Sequence, residues 1–273
     1  MTKQDALHDL VGNSISRRRF AKNAIAAGVA IGAVGLMDGV TPEVHAQSLT
    51  DTDILNFALN LEYLEAEFYT VVTTGRRIEN IGIGVSGVGT QGATTGGGTV
   101  ALDDRVAQAA LNLANEEQMH VRFLRTALGS AAIAKPAINL EALGIGFRSV
   151  TEFLTLARAF EDVGVTAYNG AAPLIRSSNI LAAAAGIALT EAQHAGVLRY
   201  LVYDRNIRVP QLDSLDVPPL ASPNGRLFNV FNEGLTPART PSQVLAILFA
   251  NTAPGTRSGG FFPSGVNGVI ASV

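Results

Sequence analysis

Apolar residues recur at three- and four-residue intervals in four stretches of the chain, each bounded by residues that start or stop helices. The first, about 52–74, sets Leu55, Ala58, Leu61, Leu64, Phe68 and Val72 at helical spacing, behind a cap at Thr50 or Asp51 and ahead of Gly75. The second, about 101–128, starts near Asp103 and Asp104, runs through Val106, Ala110, Leu113, Ala114, Val121, Leu124 and Leu128, and stops at Gly129. The third runs from about 150 to 172 and closes at Pro173. The fourth, about 178–204, is alanine-rich and apolar almost all round, which predicts a helix buried centrally. Four such segments with little strand signal predict an all-α four-helix bundle over residues 47–205.

The connections sharpen this outline. Eight of the 17 residues from Gly82 to Gly98 are glycine, so an insertion at 75–100 reads as a flexible loop or weak hairpin. It contains Gly87-Val-Gly89-Thr-Gln-Gly92, formally a dinucleotide fingerprint, but without the strand-turn-helix setting that motif needs. Residues 129–149 form a connection long enough to cross the length of a bundle. Beyond Arg205 lie eight of the chain's 11 prolines, so residues 206–273 predict an ordered, mostly irregular wrap. One short helix is expected within it, with Thr240 as cap, Pro241 in first position and Gln243 completing a capping box. Leu220, Leu227, Phe228, Val230, Phe231, Phe261 and Phe262 are too many apolar residues for a solvated tail.

Ahead of the bundle, Ser16-Arg17-Arg18-Arg19-Phe20-Ala21-Lys22 has the form of a twin-arginine export signal. An apolar stretch from Ala24 to Met37 follows, shorter than the roughly 20 residues a membrane span needs. Val44-His45-Ala46 offers a cleavage site before Gln47. Residues 1–46 therefore read as a signal, the expected partner is the twin-arginine machinery, and the expected location is periplasmic or extracellular. Of the chain's 20 basic and 23 acidic side chains, 15 and 19 remain beyond residue 46. That acidic balance argues against nucleic acid, and the absence of cysteine excludes thiolate chemistry. No uninterrupted apolar run beyond the signal reaches spanning length, so no stable membrane span is expected there.

The chemistry is concentrated in few residues. Beyond residue 46 the chain has two histidines, His120 and His194, and each stands three residues after a glutamate, Glu117 and Glu191. On a helix, positions i and i+3 share a face, so each pair aims a carboxylate and an imidazole at one point. The other two helices repeat a pattern as well: Glu62 precedes Tyr69 by seven residues, and Glu161 precedes Tyr168 by seven. The chain thus reads as two similar halves, each Glu-x6-Tyr followed by Glu-x-x-His. Glu65 lies near the same face as Glu62 and is its alternate as a ligand; Glu67 and Glu116 read as exposed charges. Four buried carboxylates would repel one another and take up protons, and two divalent cations bring them to formal neutrality. Glutamate oxygens with one imidazole per metal suit iron or manganese, and also zinc. Tyr69 and Tyr168 are placed to donate to ligand carboxylates.

A glutamate from each of two helices with Glu-x-x-His from each of the other two is the ligand pattern of ferritin-like di-iron and di-manganese proteins. Phe57-Ala-Leu-Asn-Leu-Glu62-Tyr-Leu-Glu65-Ala-Glu67-Phe-Tyr69, Phe160-Glu161-Asp-Val-Gly-Val-Thr-Ala-Tyr168 and the two Glu-x-x-His motifs resemble the ferritin-like family that includes desiccation-related proteins. Phe261-Phe262-Pro263 is similar to that family's tail. The resemblance, over roughly residues 50–270, implies a ferritin-like four-helix bundle with a long crossover between its second and third helices. It also implies a two-metal site at Glu62, Glu117, His120, Glu161, Glu191 and His194. The resemblance implies little about substrate; the two-metal site itself points to an oxidoreductase reacting with oxygen or peroxide, and the alternative is a stress-protective protein with a structural metal site.

Overall fold

The computed structural model describes residues 49–222, 225–231 and 233–273; the segment read as an export signal lies outside them. Four long helices follow in order: α1 (Asp51–Thr74), α2 (Asp104–Leu128), α3 (Val150–Ala171) and α4 (Ser178–Asp204). A short α5 (Pro241–Leu248) stands in the C-terminal region behind the expected Thr240–Gln243 capping box. All the long helices begin at side-chain caps: Thr50, Asp103, Ser149 and Ser177 each accept from a backbone N–H two or three residues into the helix. α1 packs chiefly on α2, and α3 chiefly on α4.

The central helix is α1, not α4. Every residue of α1 from Ile54 to Val72 is buried, although the stretch includes Asn56, Asn60, Glu62, Glu65, Glu67 and Thr70. Several of these polar groups are satisfied by segments that close over the helix. Asn56 donates to the Ala131 carbonyl and accepts from the Ile133 amide, and Asn60 exchanges hydrogen bonds with the backbone of Asn267. α4 instead leaves Leu181, Leu189, Val197 and Tyr200 exposed. Its apolar composition reaches round the helix, but only one side is covered. By length and hydropathy α4 alone among the described helices would also cross a bilayer, yet its buried face carries Glu191, His194 and Arg199. Between α1, α2 and α4 lies an apolar cleft of about 200 Å³, walled by Phe123, Ala127, Ile180 and Ala183.

The glycine-rich insertion is pinned to the α2–α3 crossover rather than folded on itself. Strand β1 (Thr94–Thr95) pairs in parallel with β2 (Ile138–Asn139), and Val88 bridges Ile133. The glycines permit this closeness: a Cβ on Gly87 would lie 2.2 Å from the Ala132 oxygen, and one on Gly92 the same distance from the Ala137 nitrogen. Underneath, the buried ammonium of Lys135 contacts Glu67 at 2.9 Å and donates to Thr94 at 2.6 Å. Glu67, expected to be an exposed charge, is therefore a fully buried anchor.

In the C-terminal wrap, Phe261 packs on Phe160 and Phe262 on Phe249, all four rings buried. Leu220, Phe228 and Phe231, expected to pack as well, remain exposed. The wrap is held here by buried arginines instead. Arg158 binds Asp216 at 2.5 Å, Arg199 donates to the Val217 and Leu227 carbonyls, and Arg239 meets Asp213 at 2.7 Å.

Candidate metal centre

Midway along the bundle the four long helices each turn one glutamate inward. Glu62 (α1), Glu117 (α2), Glu161 (α3) and Glu191 (α4) are fully buried, and His120 and His194 stand one turn beyond Glu117 and Glu191. The imidazole rings lie 6.2 Å apart, centre to centre. Nδ1 of His120 is 3.1 Å from Glu62, 3.0 Å from Glu117 and 3.3 Å from Glu191. Nδ1 of His194 is 2.9 Å from Glu117 and 3.2 Å from Glu161. All six sequence-expected ligand residues thus come together.

They do so as two overlapping groups. Glu62, Glu117, His120 and Glu191 offer donor atoms within 4.8 Å of one another, and so do Glu117, Glu161, Glu191 and His194. Glu117 and Glu191 belong to both. A single N–H can be directed at only one of the three oxygens around the His120 Nδ1, whereas ligand atoms of one cation crowd in this way without conflict. Glu191 Oε2 and Glu161 Oε1 are buried with neither a hydrogen bond nor an ion pair among the described residues. Burial of unpaired carboxylates is unfavourable by several kcal/mol each, so their sum calls for cations. Each group has the composition and spacing to hold a metal ion.

Electrostatics carry the same message. Burial pushes the carboxyl of Glu117 up to about 7, reinforced by the charge of Glu62, and drives Glu191 and Glu65 well above the usual carboxylate range. Burial opposes ionisation of Glu62 too, but His120, with hydrogen bonds from His120, Glu117 and Tyr168, holds it below its ordinary value. Burial also opposes protonation of the imidazoles; the surrounding carboxylates win, raising His120 and bringing His194 up to about 12. Without a cation, then, protons gather on the histidines and on surplus carboxylates.

Around the ligands, Tyr168 donates to Glu62 at 2.5 Å. The hydroxyl of Tyr69 turns to the Ala157 carbonyl at 3.4 Å, while the nearby charge of Glu161 adds to burial in raising its phenol. Glu65 is buried but stands outside both ligand groups. Its counterpart in the second half, three residues after Glu161, is Gly164, where a Cβ would lie 2.4 Å from Glu191 Oε2 and 3.3 Å from Glu65 Oε1. Gly164 makes room for two carboxylates. Glu116, expected to be an exposed charge, is about half exposed but receives the Nε2 of His194 at 2.5 Å.

A second duplicated pair escapes a reading centred on histidine. Arg125 and Arg199 each stand five residues after a site histidine; Arg125 donates to Tyr63 and Arg199 to Asp162, the residues directly after Glu62 and Glu161. The repeated spacing was the available signal.

Comparison with known proteins agrees with this architecture. The family model described as "Ferritin-like domain" matches residues 50–204, more than half of the chain. A ferritin-like catalase, Nec2 of Nesocodon mauritianus, is 22% identical over 85% of this chain and 88% of its own length. The desiccation-related protein PCC13-62 of Craterostigma plantagineum is 26% identical over 57% of this chain and 54% of its own.

Proposed function

The chain belongs to the ferritin-like domain family, and on that premise we propose that it is a two-metal oxidoreductase that disproportionates hydrogen peroxide. One observation carries the reading: two Glu/His groups, each able to hold a cation, lie side by side and share Glu117 and Glu191. The similarity to a protein named a catalase supports peroxide over dioxygen as the substrate. Manganese or iron suits the donor set.

Bound there, redox-active metals would supply two-electron chemistry, enough to couple reduction of one peroxide to two waters with oxidation of a second to dioxygen. The chain's own residues do the rest. Glu62 with His120 would hold one metal and Glu161 with His194 the other, with Glu117 and Glu191 available to both. Tyr168 fixes the orientation of Glu62. Burial and the charge of Glu191 raise the Glu65 carboxyl well above the usual carboxylate range, which suits it to hold a proton beside the ligands. The apolar cleft ends on Leu124 and Ile187, one helical turn from His120 and Glu191. Export by the twin-arginine route is part of the same proposal, because that route carries proteins already folded, which suits one that takes up its metals beforehand.

The test is metal analysis and peroxide turnover on protein purified without chelators. About two manganese or iron ions per chain with dioxygen release is expected, and Glu191→Ala should lower bound metal below one per chain and turnover by at least about 100-fold. Two metals bound with no peroxide turnover would favour instead the protective role suggested by the desiccation-related relative.

A further inference from the structure

The two cation positions are built differently, and we infer that they fill in a fixed order, the His194 position first, with Glu116 as the positioning residue that sets the order. This rests on the two-metal reading and adds what that reading leaves open.

The difference lies in what stands behind each ligand. With Nδ1 turned into the site, Nε2 of His194 donates to Glu116 at 2.5 Å. A carboxylate behind an imidazole fixes its tautomer and ring angle and makes the metal-facing nitrogen a stronger donor. His120 lacks such a partner among the described residues; its side chain is 11% exposed and its polar contacts there are all at Nδ1. The duplicated sequence explains why. Glu116 immediately precedes Glu117, and the residue immediately preceding Glu191 is Thr190, whose hydroxyl is spent on the Gly186 carbonyl of its own helix. The half that supplies His194 receives a carboxylate from across the bundle, and the half that supplies His120 gets none in return.

The terminal carboxylates differ in the same direction. Glu62 accepts a 2.5 Å hydrogen bond from Tyr168, which draws electron density from the oxygens that would bind a cation. Glu161 is held more loosely: Tyr69 places its hydroxyl 3.4 Å from the Ala157 carbonyl while standing near enough to Glu161 for that carboxylate to raise its phenol, and Glu161 Oε1 makes no hydrogen bond among the described residues. At the His194 position the imidazole is strengthened and the carboxylate unencumbered; at the His120 position the reverse holds. Glu116 adds a further negative charge at the first position, and its half-exposed side chain places that charge at the surface, where an entering cation meets it.

The experiment is titration of the metal-free full chain with cobalt(II), followed by calorimetry and by visible absorption of the bound ion. Wild type is expected to bind two ions in steps separated by at least about tenfold. Glu116→Gln keeps an acceptor for Nε2 but removes the charge, and should weaken the first step about 10- to 100-fold while leaving the second unchanged, so that the steps merge. Thr190→Glu, which offers His120 the missing carboxylate, should tighten the second step instead, and Tyr168→Phe should act in the same direction more weakly. Far-ultraviolet circular dichroism checks that each variant is folded. Two ions bound with one affinity, or a first step unmoved by Glu116→Gln, would overturn the inference and leave the two-metal reading intact. No cobalt bound by wild type would overturn both.

Discussion

The two halves of the bundle repeat their ligands and differ in nearly everything that holds those ligands in place. Each half supplies Glu-x6-Tyr, Glu-x-x-His and an arginine five residues past the histidine. Around that shared frame, Glu65 in one half answers to Gly164 in the other, Glu116 to Thr190, and Glu67 to Thr166. The last pair anchors each half to a different outer segment. Glu67 ties α1 to Lys135 of the crossover, whereas Thr166 ties α3 to Arg239 of the C-terminal wrap at 2.6 Å. The metal-facing residues repeat between the halves, the outer segments differ, and each half has its own buried partner.

The difference is largest in the anchors. Among the described residues, Lys135→Met removes the only cation within hydrogen-bonding distance of a fully buried Glu67, leaving Thr94 and the Ile78 amide as its donors. An uncompensated buried charge is unfavourable by about 3–5 kcal/mol, and urea denaturation should register a loss of that size. Arg239→Met should cost less, because its partners are a neutral hydroxyl and the partly exposed Asp213. Restoring neutrality with Glu67→Gln on top of Lys135→Met should recover much of the loss; no recovery would mean that Lys135 acts through packing alone.

The anchors also mark where sequence reading stops. The six ligand residues were legible because the same spacing occurs twice and histidine is scarce. The four helices were legible from periodicity and caps. Glu67 was not, because its partner Lys135 is far along the chain and nothing in the α1 pattern separates a buried charge from a solvated one. Glu116 was masked by its neighbour: two adjacent glutamates point in different directions on a helix, and only the packing of α4 against α2 shows that the second direction also leads to a histidine. Composition misplaced α4, since an apolar helix can be central or can carry an uncovered face. The polar residues of α1, each matched to a distant loop, are what a central helix needs.

Protonation separates the metal-free site from an ordinary core. Glu117 is raised to about 7 by burial and by Glu62, so the folded chain keeps a proton that the unfolded chain releases near 4.5. Its stabilising contribution is complete below pH 4.5 and is lost as pH rises through about 7. His194, raised to about 12, contributes fully below 6.5 and loses its contribution between there and 12. Glu62 is shifted downward, so its contribution is lost only below its ordinary range and does not act in this window. The metal-free protein should therefore lose about 3 kcal/mol from Glu117 alone between pH 5 and 8, read as a falling melting temperature. With metal in place of those protons the decline should vanish or reverse, since cation binding is favoured as protons leave.

Gly164 tests whether the asymmetry at the centre is functional. A Cβ there would crowd Glu191 Oε2 at 2.4 Å, and Glu191 is shared by both ligand groups. Gly164→Ala should lower metal affinity by about tenfold, the scale seen when a ligand's support is disturbed. Alanine is favoured over glycine by up to about 1 kcal/mol within a helix, so the metal-free variant should melt no lower than wild type. Weakened metal binding with undiminished stability is the expected signature, and a fall in both would assign Gly164 to packing.

The smallest effect separates the two tyrosines. Tyr168→Phe removes a 2.5 Å hydrogen bond to a buried carboxylate, while Tyr69→Phe removes a 3.4 Å contact with a backbone carbonyl. Hydrogen bonds to charged groups contribute about 1.5–3 kcal/mol and neutral ones about 0.5–1.5 kcal/mol. Both hydroxyls are buried, so the protein gains nothing from solvent when either is lost. Urea denaturation of the metal-free variants should thus show Tyr168→Phe destabilised by about 1 kcal/mol more than Tyr69→Phe. Equal losses would mean that Tyr69 serves Glu161 as Tyr168 serves Glu62, which would restore the symmetry between the halves at this pair and remove one of the two grounds for unequal cation positions.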